Sequence, residues 1–195
     1  MPNNTLPTTY FDDVYRAKSD PWEFETSPYE RSKYEATIAA LPNERYANAF
    51  EIGCSIGVLS EMLAQRCDRL LAVDASELPL QTARKRLAPY KHVSVEQMSI
   101  PDTFPDGPFD LILLSEVGYY LAMNDLQRAR QQLLAHLQTG GHVLLVHWTP
   151  FVPDYPLTGD QVHEQFLAIA GEGQPLRHLL GQRMDTYRLD LFQKQ

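Results

Sequence analysis

The sequence predicts an α/β protein with a mostly parallel sheet, helices on both faces and a C-terminal antiparallel hairpin. Three observations predict it. Short apolar runs alternate with segments of helical periodicity over residues 29–147. Those runs are continuous rather than alternating, the mark of parallel strands covered on both faces. A glycine-bearing turn joins one such run to the helix after it, where open α/β sheets bind ligands.

Pro, Asp and Ser punctuate residues 1–28. Ser27 is an N-cap with Pro28 at the first helical position, which predicts a helix from Tyr29 to Leu41, ended by Pro42. Tyr34, Ile38 and Leu41 form its apolar stripe. Ala47 to Ile52 predicts a strand, Gly53 to Gly57 a turn, and Val58 to Arg66 a helix carrying Leu59, Met62 and Leu63. Leu70 to Val73 is a strand ending at Asp74. Leu78 to Leu87 is a helix whose last turn, Arg84-Lys85-Arg86, suits its negative end. Val93 to Gln97 and Phe109 to Leu114 are strands. Leu126 to Leu137 is a helix closed by Gly140-Gly141, and Val143 to Val146 is a strand. Pro150, Pro153 and Pro156 lie in a loop long enough to suggest binding. Asp160 to Ala170 is a helix, and residues 176–180 and 187–192 pair as the final hairpin.

At 195 residues and 44% hydrophobic content the chain suits one domain with a substantial core. Residues 1–9 are expected to be disordered, 10–42 to form an N-terminal cap segment and helix, and 148–158 to form a loop near the active site. A net charge of −8 and a pI near 5.2 disfavour phosphate backbones and anionic membranes, so no nucleic acid or membrane partner is expected. No apolar run is long enough to span a bilayer. The N-terminus has neither a basic start nor an apolar signal core, which points to the cytoplasm and makes Asn3-Asn4-Thr5 a chance glycosylation match. Cys54 and Cys67 are too few for a disulfide scaffold and are read as reduced. No metal is expected: Asp12, Asp13 and Asp20 lack ligand spacing and read as solvated.

The strongest chemical signal is Phe50-Glu51-Ile52-Gly53-Cys54-Ser55-Ile56-Gly57, with Asp74 ending the next strand 21 residues after Gly53. Glycines there let a ligand approach the backbone, and an acid about 20 residues on is placed to bind a ribose. The dinucleotide pattern G-x-G-x-x-G fails at Ser55 and Val58. The same residues spell G-x-S-x-G, the nucleophile elbow of α/β-hydrolases, with Asp110 and His147 following in order. That reading lacks an upstream oxyanion segment, and little more than one strand precedes the elbow.

A third class fits best. Glu51 to Gly57, Asp74, Pro105 to Ile112 and Leu137 to Val143 resemble the motifs of class I S-adenosylmethionine-dependent methyltransferases, apart from Ser55 where a glycine is usual. Asp20-Pro21-Trp22, Ser27 to Arg31, Lys33-Tyr34, Glu51 to Cys54 and Ser115 to Leu121 are similar to the nodulation protein S family. This likeness covers about residues 10–147. It implies a Rossmann-like fold with a seven-stranded type of sheet, S-adenosylmethionine as cofactor, and S-adenosylhomocysteine as product. It also implies N-methylation of a deacetylated amino sugar on an oligosaccharide. Cofactor binding would fall to Trp22, Arg31, Glu51, Gly53, Cys54, Ser55, Gly57, Asp74, Ala75, Met98, Ser99 and Ser115. Arg31 would pair with the methionine carboxylate. Met98 stands where many relatives have an acid, so adenine would rely on backbone N–H groups around Met98-Ser99 and on apolar packing.

For the acceptor, Glu116 follows an apolar strand at the ligand-binding edge and His147 ends another, so either is a candidate base. Tyr29, Tyr119, Tyr120, Trp148 and Tyr155 are candidate walls for a small-molecule substrate; at least one of Tyr119 and Tyr120 is expected in the core. An O-methyltransferase and a non-catalytic cofactor-binding protein remain alternatives, and the acceptor and oligomeric state are open.

Overall fold

The computed structural model describes residues 4–195 and forms two compact units. One comprises Pro7–Ser99. The other comprises Ile100–Gln195 with the described residues up to Leu6.

In the first unit the order is α1 (Thr8–Ala17), α2 (Pro28–Ala39), β1 (Ala49–Ile52), α3 (Val58–Ala64), β2 (Leu70–Asp74), α4 (Glu77–Leu87) and β3 (Val93–Gln97). The strands pair in parallel as β3-β2-β1, with Glu51 opposite Ala72 and Asp74 opposite Gln97. Strand β1 is wholly buried, as its apolar run requires, whereas β3 is mostly exposed. Helix α2 begins as expected: Pro28 opens it, and the Ser27 hydroxyl accepts the Glu30 N–H at 3.4 Å. Its inner face is less apolar than the stripe predicted. Lys33 is 3% exposed and bridges to Glu30 at 3.0 Å.

Helix α1 departs from the sequence reading. It has no side-chain N-cap and follows Pro7, so the usual start signal is missing. The expected disorder over residues 1–9 falls partly on Met1–Asn3, outside the described residues. Beyond them it does not hold. The Thr5 hydroxyl donates to Asp125 at 2.5 Å and accepts the Ala122 N–H at 2.9 Å, and the Leu6 N–H donates to the Tyr120 carbonyl.

The second unit contains β4 (Phe109–Ser115), a 3-10 turn at Gly118–Tyr120, α5 (Met123–His136), β5 (Leu137–Trp148), α6 (Gly159–Leu167), β6 (Leu176–Arg183) and β7 (Tyr187–Lys194). Its strand order is β4-β5-β7-β6, parallel for β4 with β5 and antiparallel for the rest. The terminal hairpin is therefore as expected, only longer. The glycines expected to close α5 lie instead inside β5. The helix stops at His136 and the strand starts at Leu137; the register then jumps from Phe109–Leu137 to Leu111–His142. Gly140 takes φ 80° in this bulge, and a Cβ on Gly141 would lie 2.9 Å from the Gln138 carbonyl.

Candidate functional site

In the Pro7–Ser99 unit, the turn after β1 carries three left-handed residues: Gly53 (φ 86°), Ser55 (φ 49°) and Gly57 (φ 82°). For Ser55 this is a strained conformation, of the sort found where a fold over-determines a ligand turn. The turn spends its own donors internally. The N–H groups of Gly53 and Cys54 both reach the Val73 carbonyl (2.8 and 2.9 Å), and the Ser55 N–H donates to Asp74 Oδ2 at 3.0 Å. Asp74 Oδ1 accepts the Ser76 N–H at 3.0 Å. Although Asp74 is half-buried as a residue, water displaced from around its carboxyl pushes its pKa up to about 6, against the pull of the Ser76, Ser55 and Ala75 N–H groups.

Glu51 lies deeper, 1% exposed, and its Oε2 has no hydrogen-bond partner. Burial raises its pKa to about 7; the Ser60 hydroxyl offsets part of this and the Asp74 charge adds to it. A buried acid oxygen without a donor suits a ligand that brings a cation.

Helix α1 folds onto this region within the unit. The buried Tyr15 donates its hydroxyl proton to Ser55 Oγ at 2.6 Å, and the Ser76 hydroxyl donates to Asp12 Oδ1 at 2.6 Å. Trp22 meets the Tyr15 ring edge-on at 5.7 Å and stacks on Phe24. Sequence reasoning missed Tyr15 and read Asp12 as solvated. The available signal was Phe11 and Tyr15 at i, i+4 spacing. Asp20 is also engaged, accepting the N–H groups of Phe24 and Glu25.

One assignment in this unit needs correction, that of the Met98 N–H, and two others have contacts of their own. Gly57 also serves packing, since a Cβ there would sit 3.2 Å from the Ala83 Cα and Cβ of α4. Arg31 pairs with Glu35 at 3.0 Å on a side chain 81% exposed. The Met98 N–H is taken by the Asp74 carbonyl at 2.9 Å, so it is not a donor for adenine. Ala75 is half-buried and its carbonyl accepts from Gln97, Ser99 is exposed, and the buried Cys54 thiol is pushed up in pKa by burial. Tyr29 is exposed on α2, with the Lys33 ammonium 5.4 Å from its ring centre.

In the other unit, Glu116 is left-handed (φ 57°) directly after β4 and the buried Ser115, and its N–H donates to the Val146 carbonyl. Its carboxylate Oε2 accepts the Tyr119 hydroxyl at 2.5 Å and the Trp148 backbone N–H at 2.9 Å. Tyr119 stacks on Tyr155 (5.1 Å, 13°), and Tyr120 meets both rings edge-on. Tyr119 and Tyr120 are both buried, so their hydroxyls are held protonated by desolvation first and by neighbouring acids and phenols second. The rings of Tyr119, Tyr120 and Tyr155 thus gather beside Glu116, which the Trp148 backbone also meets; Tyr29 belongs to the other unit.

His147 is wholly buried, and its two ring nitrogens face Gly118 N–H (3.1 Å) and His163 Nε2 (3.1 Å). That corrects its role as a base for substrate. It also removes the hydrolase reading, because Ser55 Oγ bonds Tyr15 and the imidazole is committed elsewhere. Among the described residues, no group of three or more His, Cys, Asp or Glu side chains is placed to hold a metal ion, and no helix is long and apolar enough to cross a membrane.

The chain matches the family model of Nodulation protein S over residues 13–146. Nodulation protein S of Rhizobium tropici is 32% identical over 130 residues, 66% of this chain and 55% of that protein, so the chain spans little more than half of this relative's length. A Pseudomonas syringae protein provisionally classed as a methyltransferase is 40% identical, with a TM-score of 0.73 over 85% of this chain and 99% of its own. The N-methyltransferase NodS of Bradyrhizobium japonicum WM9, solved with S-adenosylhomocysteine, superposes with a TM-score of 0.84 at 23% identity over 97% of this chain and 99% of its own, which establishes the Rossmann-like methyltransferase fold. With 134 of its 195 residues inside the family model, the chain belongs to the nodulation protein S family.

Proposed function

We propose that the chain is an S-adenosylmethionine-dependent N-methyltransferase acting on an amine of a small molecule, with an amino sugar or oligosaccharide as the preferred acceptor class. The observation that carries it is the pair of acids at the glycine turn. Asp74 is oriented by two backbone N–H groups, as a ribose-binding acid needs to be, and the unpartnered Glu51 oxygen suits the ammonium group of the cofactor's amino acid. The left-handed Gly53 allows the ligand close to the backbone. Family membership and the fold shared with NodS add support.

S-adenosylmethionine supplies a methyl group on a positively charged sulfur, which an acceptor nitrogen takes by displacement. The chain's task is positioning and exclusion of water. Asp74 accepts the ribose hydroxyls, and Ser55 and Trp22 close the turn. On the acceptor side, the Glu116 carboxylate, fixed by Tyr119 and the Trp148 N–H, holds the amine through its N–H groups and takes the proton it must lose. Aromatic faces of Tyr155 and Trp148 suit the C–H faces of a sugar ring.

An acceptor screen tests the reading. Partly deacetylated chito-oligosaccharides, other amino sugars and small phenols are offered with labelled donor. Methyl transfer to nitrogen supports it; transfer confined to hydroxyls or thiols overturns the N-methyl assignment. Binding of S-adenosylhomocysteine without turnover on any acceptor would favour a non-catalytic binding protein.

A further inference from the structure

A buried hydrogen-bonded series runs behind the Glu116 turn, and its proton positions follow from its end. Gly118 N–H can only donate, so His147 Nε2, 3.1 Å away, must present a lone pair. The His147 proton is then on Nδ1, which faces His163 Nε2 at 3.1 Å. That nitrogen must accept, so the His163 proton is on Nδ1, 2.6 Å from Asp190 Oδ2. Asp190 completes the series, accepting also from Arg188 Nε at 2.7 Å and facing His178 Nε2 at 2.6 Å. His147 and His163 are 0% exposed and Asp190 1% exposed. Each of the two histidines has one tautomer that satisfies its neighbours, and the other tautomer at either would set two N–H groups against each other.

We infer that His147, held in a single tautomer by His163 and Asp190, is the positioning residue that fixes the Glu116–Gly118 turn and so aims the Glu116 carboxylate at the acceptor. The inference rests on the reading of Glu116 as the acceptor-binding acid. Three features carry it. The turn is strained at Glu116 (φ 57°) and needs an external hold. The hold is close: a Cβ on Gly118 would lie 2.9 Å from His147 Nε2 and 2.6 Å from Val162 Cγ1, so the backbone approaches the imidazole more closely than a residue with a side chain would permit. The Tyr119 ring, whose hydroxyl binds Glu116, packs edge-on against His147 at 5.4 Å. The groups facing His163 are His147 from β5, Asp190 and Arg188 from β7, and Asp160 from its own helix. Burial outweighs the pull of Asp190 and lowers the His163 pKa, in keeping with a neutral member of the series.

Two measurements test it. Side-chain 15N spectra of the intact wild-type protein report the tautomers without reference to any reaction. His147 and His163 are both expected as neutral Nδ1–H forms at neutral pH. An Nε2–H form of either overturns the series. Kinetics with an amine acceptor then separate positioning from bulk. His147→Leu leaves the Gly118 N–H unpaired and should lower acceptor kcat/KM about tenfold to a hundredfold, with S-adenosylhomocysteine affinity unchanged. His147→Gln places Oε1 where Nε2 was and should recover most of that loss. Equal losses in the two variants, both folded, or no loss in His147→Leu, overturn the positioning role. Glu116→Gln is the control: if it turns over at the wild-type rate, the reading of Glu116 itself has failed, whereas a crippled Glu116→Gln beside a fully active His147→Leu removes only the inference about His147.

Discussion

Replacing Glu51 with glutamine should stabilise the free protein, and do so much more at alkaline pH than at acidic pH. The carboxyl is 1% exposed, one oxygen lacks a partner, and its pKa rises from 4.5 to about 7 in the fold. The sign follows from proton counting. Between those two values the folded protein binds more protons than the unfolded chain, so stability is lost as pH rises through 7. At 1.36 kcal/mol per pKa unit, holding Glu51 in the fold costs about 3 kcal/mol at pH 8 and about 1 kcal/mol at pH 5. Glutamine has a similar shape and no ionisation. Its own packing and hydrogen bonding contribute nearly equally at both pH values, so they cancel in the difference. The gain of Glu51→Gln over wild type should therefore be about 2 kcal/mol larger at pH 8 than at pH 5. Urea unfolding of both proteins at the two pH values, followed by far-ultraviolet circular dichroism and fluorescence together, measures it. An equal effect at pH 5 and pH 8 would refute the claim that Glu51 is an uncompensated buried acid. The same variant should bind S-adenosylhomocysteine more weakly, because the acid kept at the expense of stability is the one assigned to the ligand's ammonium group.

Asp74→Ala should weaken S-adenosylhomocysteine binding by about 1.5–3 kcal/mol, the range for charge-assisted hydrogen bonds, and Gly53→Val should weaken it further by obstructing the ligand; calorimetry on the folded variants checks both. Donor affinity should fall as pH is lowered through 7 and then through 6, because Glu51 and Asp74 are protonated there in the free protein and ionised in the complex. Calorimetry in buffers of different ionisation enthalpy should show proton release near neutrality, and a pH-independent affinity contradicts this. NAD should not bind, since Ser55 and Val58 break its fingerprint. Gly57→Ala should destabilise the fold by about 1–3 kcal/mol, through φ 82° and the 3.2 Å approach to Ala83, with donor affinity of the folded protein retained.

Strands β1 and β4 were legible because burial on both faces demands continuous apolar runs; β3, mostly exposed, still matches its predicted bounds residue for residue. The donor turn was legible because glycines and an acid at fixed spacing state a local backbone requirement. What the pattern could not separate was why each glycine is needed: Gly53 and Gly57 share a left-handed φ, but Gly57 answers to Ala83 on α4. Helix α1 escaped notice because its start lacks a capping side chain and its aromatic residues lie among turn formers. The Gly140-Gly141 pair read as a helix stop, since positive φ is as useful in a strand bulge as at a helix end. The histidine series was beyond sequence reasoning altogether. His147, His163 and Asp190 are far apart in the chain, and only the pairing of β5 with β7 and the seating of α6 bring them together. Glu116 was found from its place after an apolar strand, but its left-handed backbone and its hold by Tyr119 and Trp148 are tertiary facts.

The central claim, methyl transfer to an amine acceptor, is tested most directly by mass spectrometry of a partly deacetylated chito-oligosaccharide incubated with the protein and S-adenosylmethionine carrying a labelled methyl group. The account predicts one labelled methyl on the free amine, formed by the wild type and strongly reduced in Glu116→Gln at saturating donor. Label found only on hydroxyl or thiol acceptors, with the amine left unmodified across the acceptor panel, would contradict it.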